Sequence, residues 1–551
     1  MPRITSSILA CDHSLNPPPF TSPKTLNTNL ISSAIAVNNS PIALEKKPNH
    51  MFKKALPFFI LALALSSCKK DKEEDFFVNE NPASFAEVGS IDIGDIGAAE
   101  ISAFDPQTNR LFVVNNGTVN KIDVVDLKNP ASMTVISSIS MAPYGGTVNS
   151  VSVHGGKLAA AIESLDKQAN GKVVVFKTSD YSEIKSINVG ALPDMVTFSP
   201  DGKFIITANE GEPSADYLKD PEGTVSIISV NDNYAVTTVN FSSLSGQEAA
   251  LKAKGFRIFG PNSNFVKDIE PEYVTVSADS KTAWVTLQEN NGIAKVNLAT
   301  KTITNIFPLG FKDYNVDGNS IDPSDRDNAM TLAKWNVKGV YMPDAIAVTE
   351  KLGIPYLFTA NEGDAREYTN FVEVKRVKDV SLDPTAFPTG SVLKGDTQLG
   401  RLNITSTLGD TDNDGDFDAL YSLGSRSFSV WNGNDGTQLF DSKNELDVKV
   451  IAAGYYDDTR SDDKSVEPEG ITIGTVGSKQ IAFVAMERVD AVAVYDISNP
   501  AAPVFLQILK TGDAPEGVMF VPAKDSPTKK SLLIVSSEND GVVKVYSPAT
   551  F

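Results

Sequence analysis

Histidine is nearly absent from this chain of 551 residues: His13, His50 and His154 are the whole supply. A His-rich zinc site or a His-based catalytic triad therefore has almost nothing to draw on. Cysteine is as scarce. Cys11 and Cys68 are the two, and neither falls in the repeat region described below, so no disulfide staples the fold. A chain of this size can hold itself by burial instead. Positive charge is also short, with 49 Lys plus Arg against 69 Asp plus Glu and a formal charge of -20. Such a field repels nucleic acid and anionic lipid and attracts cations, which argues against nucleic-acid binding.

A long apolar run is missing near the start. Residues 51–68 read MFKKALPFFILALALSSC, where Lys53 and Lys54 precede a short apolar segment, Ala55 to Leu65. That segment is the core of a signal peptide, too short to span a bilayer as a helix. Leu65-Ser66-Ser67-Cys68 resembles a bacterial lipobox, in which Cys68 is lipidated and begins the mature chain. On this reading Met51 is the initiator and residues 51–68 are a lipoprotein signal peptide. Residues 1–50, rich in Ser, Asn, Pro and Thr without apolar periodicity, are then a misassigned or disordered leader. Residues 69–84 form a charged tether that opens with KKDKEED. This stretch resembles the export signal of surface lipoproteins in Bacteroidetes-like bacteria. The expected location is the outer membrane, facing outward, as a monomer with a lipid anchor at Cys68.

What is present in quantity is a repeat. Each unit opens with a short alternating strand, turns at Gly, Asp or Asn, and continues as an apolar strand ending in an acid or amide. The clearest copies are PDMVTFSPDGKFIITANEG from Pro193, PEYVTVSADSKTAWVTLQEN from Pro271 and PDAIAVTEKLGIPYLFTANEG from Pro343. PEGITIGTVGSKQIAFVAMER from Pro468 and PEGVMFVPAKDSPTKKSLLIVSSEN from Pro515 follow the same plan. Weaker copies start at Ala99 and Val148, and a divergent one at Leu399, giving eight units. Four-stranded units at this spacing predict an all-β fold, a single β-propeller of seven or eight blades over residues 85–551. The last unit ends after its third strand, so a strand from residues 85–94 is expected to complete it and close the ring. Segments 241–265 and 308–340 break the rhythm and read as loop insertions.

Aligned units place Glu100, Asn149, Asp194, Glu272, Asp344, Glu469 and Glu516 at the start of each first strand. Asn116, Glu163, Glu210, Glu289, Glu362, Glu487 and Glu538 fall at the end of each second strand. Antiparallel neighbours start and finish at one edge, so both sets are expected on one face. Their acids, Glu100, Asp194, Glu210, Glu272, Glu289, Asp344, Glu469, Glu487, Glu516 and Glu538 among them, form a central acidic ring. Carboxylates so gathered repel one another unless cations or raised pKa values relieve them. Oxygen ligands without His suit Ca²⁺ or Mg²⁺. The same acids can instead accept backbone N–H bonds blade by blade. A separate string, GDTDNDGDFDAL, sets Asp410, Asp412, Asp414, Asp416 and Asp418 at alternate positions with Gly415 at the sixth, as in a calcium loop. Tyr421 stands where a full EF-hand loop has Glu. The loop is expected between the first and second strands of the Leu399 unit, on the face opposite the ring, as a structural calcium site. A third acidic stretch, with Asp317, Asn319, Asp322, Asp325 and Asp327, reads as a polar loop.

The strings FKDYNVDGNSIDPSDRD, YMPDAIAV, FTANEGDAREY, LGRLNIT, GDTDNDGDFDALYSLGSRSFSVWN and SVEPEGI occur here in this order. Together they resemble the choice-of-anchor I family of bacterial surface proteins, related to the mesenchyme-specific cell surface glycoproteins, over about residues 85–550. The resemblance implies a propeller held at the surface by a varied anchor. Some family members are labelled alkaline phosphatase-like or phytase-like. The likeness covers Asp344, Asn361, Glu362, Asp364, Arg366 and Glu367, and also Asp325, Arg326, Asp327, Arg401, Arg426, Glu467 and Glu469. The leading expectation is a calcium-stabilised surface module that binds a small molecule or a protein partner. The alternative is a metal-dependent phosphoesterase in which calcium held by the acid ring activates water and binds phosphate oxygens, with Arg366, Arg326 or Arg401 stabilising negative charge and Glu362, Asp364, Arg366 and Arg326 as the catalytic candidates. Glycoside or lactone hydrolysis on the same face is the further alternative, with no carboxylate pair selected.

Overall fold

The computed structural model describes residues 76–551, Ser263 excepted. The leader, the signal peptide with Cys68 and the first part of the tether lie outside the described residues. The second strands read as near-continuous apolar runs (LFVV, IITA, WVTL, LFTA, FVAM) because both faces of each sheet are covered. Seven four-stranded antiparallel sheets result among the described residues, six of them in chain order from the first strand outward. They begin at Ala98–Asp105, Val148–His154, Pro193–Phe198, Val274–Val276, Ile346–Lys351, Pro468–Val476 and Pro515–Val521.

The first strands pack against one another in a cycle, each against the next and the seventh against the first. The core follows the same cycle. It divides into separate apolar clusters, one for each pair of adjacent sheets, such as Phe112 with Leu158 and Leu111 with Leu532. This is the arrangement of a β-propeller. No helix among the described residues is long and apolar enough to cross a membrane.

The strand Ala86–Asp92 pairs with Val542–Ser547, so sheet seven runs Ala86–Asp92, Val542–Ser547, Leu532–Ser537, Pro515–Val521. The two ends of the domain thus share one sheet, as the incomplete last repeat required. Packing begins earlier than residue 85. Glu80 is buried, accepting from the Ser531 backbone N–H at 2.7 Å and its hydroxyl at 2.6 Å. Glu80→Ala leaves that N–H buried and unmet, so a loss of about 1–3 kcal/mol is expected in denaturant unfolding.

The eighth repeat unit does not form a sheet of its own. Asn403–Thr405 pairs only with Val374–Arg376, while Ser427–Asn432 and Gln438–Asp441 are the third and fourth strands of the sheet begun by Ile346–Lys351. Residues 362–426 are therefore one insertion between a second and a third strand. They carry their own small core of Tyr314, Val377, Leu402 and Leu420, shared with the segment before sheet five. That core supplied the apolar periodicity that imitated a blade.

Candidate functional site

The ring acids sit where the first strands are irregular. Register shifts bracket Glu100, Asn149, Asp194, Glu469 and Glu516, so each lies in a bulge. A bulge turns its residue out of the regular pleat, here toward the axis. Leu192, Met342, Glu467 and Ala514 precede the Pro-acid pairs with φ of 47°, 47°, 47° and 55°. Left-handed backbone at a non-Gly residue costs roughly 1 kcal/mol, and its recurrence shows a strand entry over-determined by the surrounding fold. Gly470 and Gly517 allow neighbouring strands to close up at this level. A Cβ there would lie 2.3 Å from the Glu516 carbonyl oxygen and 2.5 Å from that of Glu100.

Four of these first-strand positions meet in space. Asn149, Asp194, Asp344 and Glu516 line one cavity of about 40 Å³ together with Tyr273. That volume holds an ion with a few waters. Burial, then Glu538, push the Glu100 carboxyl up to about 8. Burial, then Glu212, push Asp194 up to about 7. Glu272, Asp344, Glu469 and Glu516 are raised well above the ordinary range, first by burial and then by one another and by second-strand acids. The Oε2 atoms of Glu272 and Glu469 are out of contact with solvent and accept no hydrogen bond. A satisfied blade-by-blade structural role would not leave them so.

The second-strand acids divide into two groups. Asn116 donates to Glu100 at 2.7 Å. Glu362 accepts from Lys464 at 2.9 Å and from Gln288 at 2.9 Å, and although burial works against it, Lys464 holds its carboxyl below the ordinary value. Lys464 also reaches Glu467 at 3.2 Å and Asp364 at 3.6 Å. Arg460 binds Glu467 at 2.6 Å and Arg488 binds Glu487 at 2.7 Å. Glu362, Glu467 and Glu487 have oxygens within 4.8 Å of one another, but these basic side chains already fill the space. No ion pair among the described residues reaches Glu210 or Glu289.

The four catalytic candidates do not form one constellation. Glu362 and Asp364 share Lys464. Arg366 is buried, binding Asp268 at 2.6 Å and Glu270 at 2.8 Å, with Phe259 stacked 4.5 Å from its guanidinium. Every guanidinium nitrogen of Arg366 donates to one of those two residues. Arg326 is exposed and pairs with Asp325, which Arg401 also holds at 2.7 Å. The reading of Arg366 as a charge stabiliser is thus corrected: its charge is spent on the fold.

The Asp410 loop also needs correcting. It lies inside the insertion that leaves and re-enters sheet five at its acid-ring end, not on the opposite face. The mistaken strand assignment at Leu399 caused the error. Within the loop, Asp410, Asp412 and Asp418 bring oxygens within 4.8 Å, and Asp383, Asp416 and Asp418 do so as well. Asp414 accepts from the Asp416 backbone N–H. In the third acidic stretch, Asp317 pairs with Lys334 and Asp322 caps the Thr331 N–H, as a polar loop does.

Sequence reasoning missed Asp268, Glu270, Glu212, Lys464 and the part played by Glu467. A signal was available: EPE occurs twice, at Glu270-Pro271-Glu272 and Glu467-Pro468-Glu469. Each first acid takes a buried or half-buried cation, Arg366 in one case and Lys464 with Arg460 in the other.

A family model described as the choice-of-anchor I domain matches residues 100–500. Gigasin-3a of Magallana gigas is 24% identical over 188 residues, covering 28% of this chain and 66% of that protein, just under two thirds of its length. Among solved structures, the β-propeller domain of Myceliophteria thermophila Cps50 (Swd1) aligns over 84% of this chain and 100% of its own, at 8% identity and a TM-score of 0.43. Kuenenia stuttgartiensis hydrazine synthase aligns over 84% and 98%, at 12% identity and 0.44.

Proposed function

Since the chain belongs to the choice-of-anchor I domain family, a family of surface-anchored propellers, we propose that it is an exported, lipid-anchored module that binds a ligand or partner at a calcium-loaded opening. Cys68 is the anchor, the outer membrane its site and the outward face its orientation. The propeller has seven blades. The observation that carries the reading is the meeting of Asp194, Asp344 and Glu516, from three different sheets, at one small cavity, with Glu272 and Glu469, next in sequence to the lining Tyr273 and Gly470, each carrying a buried Oε2 that accepts nothing. Calcium is held there through waters as well as carboxylates, since no three ring acids outside the Lys464 group lie within direct ligating distance among the described residues. A second calcium orders the Asp410 loop. Glu80 meets Ser531 at the end of sheet seven away from Glu516 and Glu538.

A binding module is favoured over a phosphoesterase by one feature. Arg366 is locked in a buried ion pair, and the unpaired groups at the opening are acids, which repel a phosphate ester.

Terbium, a calcium stand-in, should luminesce when excited through Tyr273, and calcium should displace it. Tyr273→Phe should cut the emission while calcium binding by calorimetry persists. Asp344→Asn with Glu516→Gln should weaken binding at least tenfold. Unchanged calcium binding in that double variant would remove the ring from the proposal.

A further inference from the structure

We propose that the opening also carries a site for a primary ammonium group, the head of a lysine side chain or of a small diamine, bounded by Glu210, Glu212, Glu289, Tyr217 and Tyr368. This rests on the reading of the opening as a cation-binding surface. The fold itself supplies the precedent. Beside sheet six the strand-end acids Glu362, Glu467 and Glu487 are met by Lys464, whose ammonium lies 2.9 Å from Glu362 and 3.2 Å from Glu467. Beside sheets three and four the equivalent acids are Glu210, Glu270 and Glu289. Arg366 is committed to Glu270 and Asp268, and no basic side chain pairs with Glu210 or Glu289 among the described residues.

Glu289 is only 6% exposed, yet its Oε2 accepts nothing. The fully buried Gln288, fixed by its bond to Glu362, likewise has an Oε1 without a donor. Burial first, then Glu212, Asp194, Glu289 and Glu270, raise the Glu210 carboxyl well above its ordinary range, which places these acids in one neighbourhood; at Glu289 burial and Glu212 act upward against the pull of Arg366. Such orphaned acceptors call for a donor from outside.

The walls point to the donor's chemistry. Tyr217 and Tyr368 meet edge to face at 5.3 Å, and Tyr217 meets Phe371 at 5.9 Å. The Tyr368 hydroxyl donates to Glu212 at 3.2 Å, within the same group of acids, while the buried Tyr217 hydroxyl has no partner. Aromatic faces beside carboxylates select organic ammonium ions. A directly ligated metal fits less well, since none of the acid triads with oxygens within 4.8 Å includes Glu210, Glu212 or Glu289. The walls come from two insertions tied together, with Asn370 donating to Asp216 at 3.0 Å.

The test is calorimetric titration of the full chain, in saturating calcium, with Nα-acetyl-lysine amide, with cadaverine, and with the Nε-acetylated lysine derivative. The first two should bind and the third should not, the stronger of the two amines marking a peptide or a free diamine as the source. Glu289→Gln should weaken binding at least tenfold, and Glu350→Gln, exposed near the end of the strand Ile346–Lys351 that lies away from Asp344, should leave it unchanged. Equal binding of the acetylated derivative, or full affinity in Glu289→Gln, would overturn the proposal. If no amine binds while terbium and calcium still do, the ammonium site falls and the calcium reading stands.

Discussion

In a chelator, the melting temperature of this protein falls as pH rises from about 5 to about 8.5, and calcium removes most of the fall. The direction follows from the sign of the carboxyl shifts. Burial first, and neighbouring charges second, raise Glu100 and Glu487 to about 8 and Asp194 and Glu289 to about 7. Arg366 opposes the rise at Glu289 without cancelling it. A carboxyl with a raised folded-state pKa holds its proton more tightly in the native protein than in the unfolded chain. Between the unfolded value near 4 and the folded value of 7–8, the native state binds more protons, so stability drops with rising pH. Each proton bound in excess costs 1.36 kcal/mol per pH unit, and the groups titrate together rather than singly. A total loss of about 5 kcal/mol is reasonable beside the 5–15 kcal/mol that holds a domain together. For a chain of this length that is a fall of roughly 5 °C. Calcium binds the ionised form and so supplies what the protons no longer do, with the benefit growing as pH rises. Differential scanning calorimetry at several pH values, with and without calcium, measures it. A flat or rising profile in chelator would mean that the ring acids are ordinary surface carboxylates.

Arg366→Ala should destabilise the protein by about 3–5 kcal/mol, whatever it does to ligand binding. The substitution removes the guanidinium that Asp268 and Glu270, both about 2% exposed, share. Removing one partner of a buried pair costs far more than the pair contributes, because the remaining charge stays in a low-dielectric site. The guanidinium also stacks on Phe259, which packs as well against Phe371 and against Arg257, itself paired with Glu373. One substitution therefore loosens a stack that ties segment 257–270 to the insertion at 366–373. Arg326→Ala, by contrast, removes an exposed side chain and should change stability by less than about 0.5 kcal/mol. Urea unfolding of the two variants separates them. This difference also bears on any activity assay, where loss of function in Arg366→Ala would report unfolding before it reported chemistry. An Arg366→Ala protein as stable as the parent would show that the cluster is solvated.

The repeat strings determined a great deal without a structure. Alternating first strands and apolar second strands, each closed by an acid, dictated four-stranded units. The unfinished last unit called for a strand from residues 85–94, and Ala86–Asp92 pairs there. Period and polarity are local properties, so they can be read in one dimension. The ring acids were legible for the same reason, since each occupies a fixed place in its repeat.

Other features were decided only in three dimensions. The segment from Leu399 has the same local pattern as a blade, but its apolar residues pack against Tyr314 and Val377 rather than within a sheet of their own. Arg366 and Arg326 look alike in sequence, yet burial between Asp268 and Glu270 fixes one, while the other lies exposed beside Asp325. Lys464 lies 102 positions from Glu362, and no local rule pairs them. Which carboxylates are neutralised and which are left wanting depends on long-range contacts, because charge compensation acts through space and not along the chain.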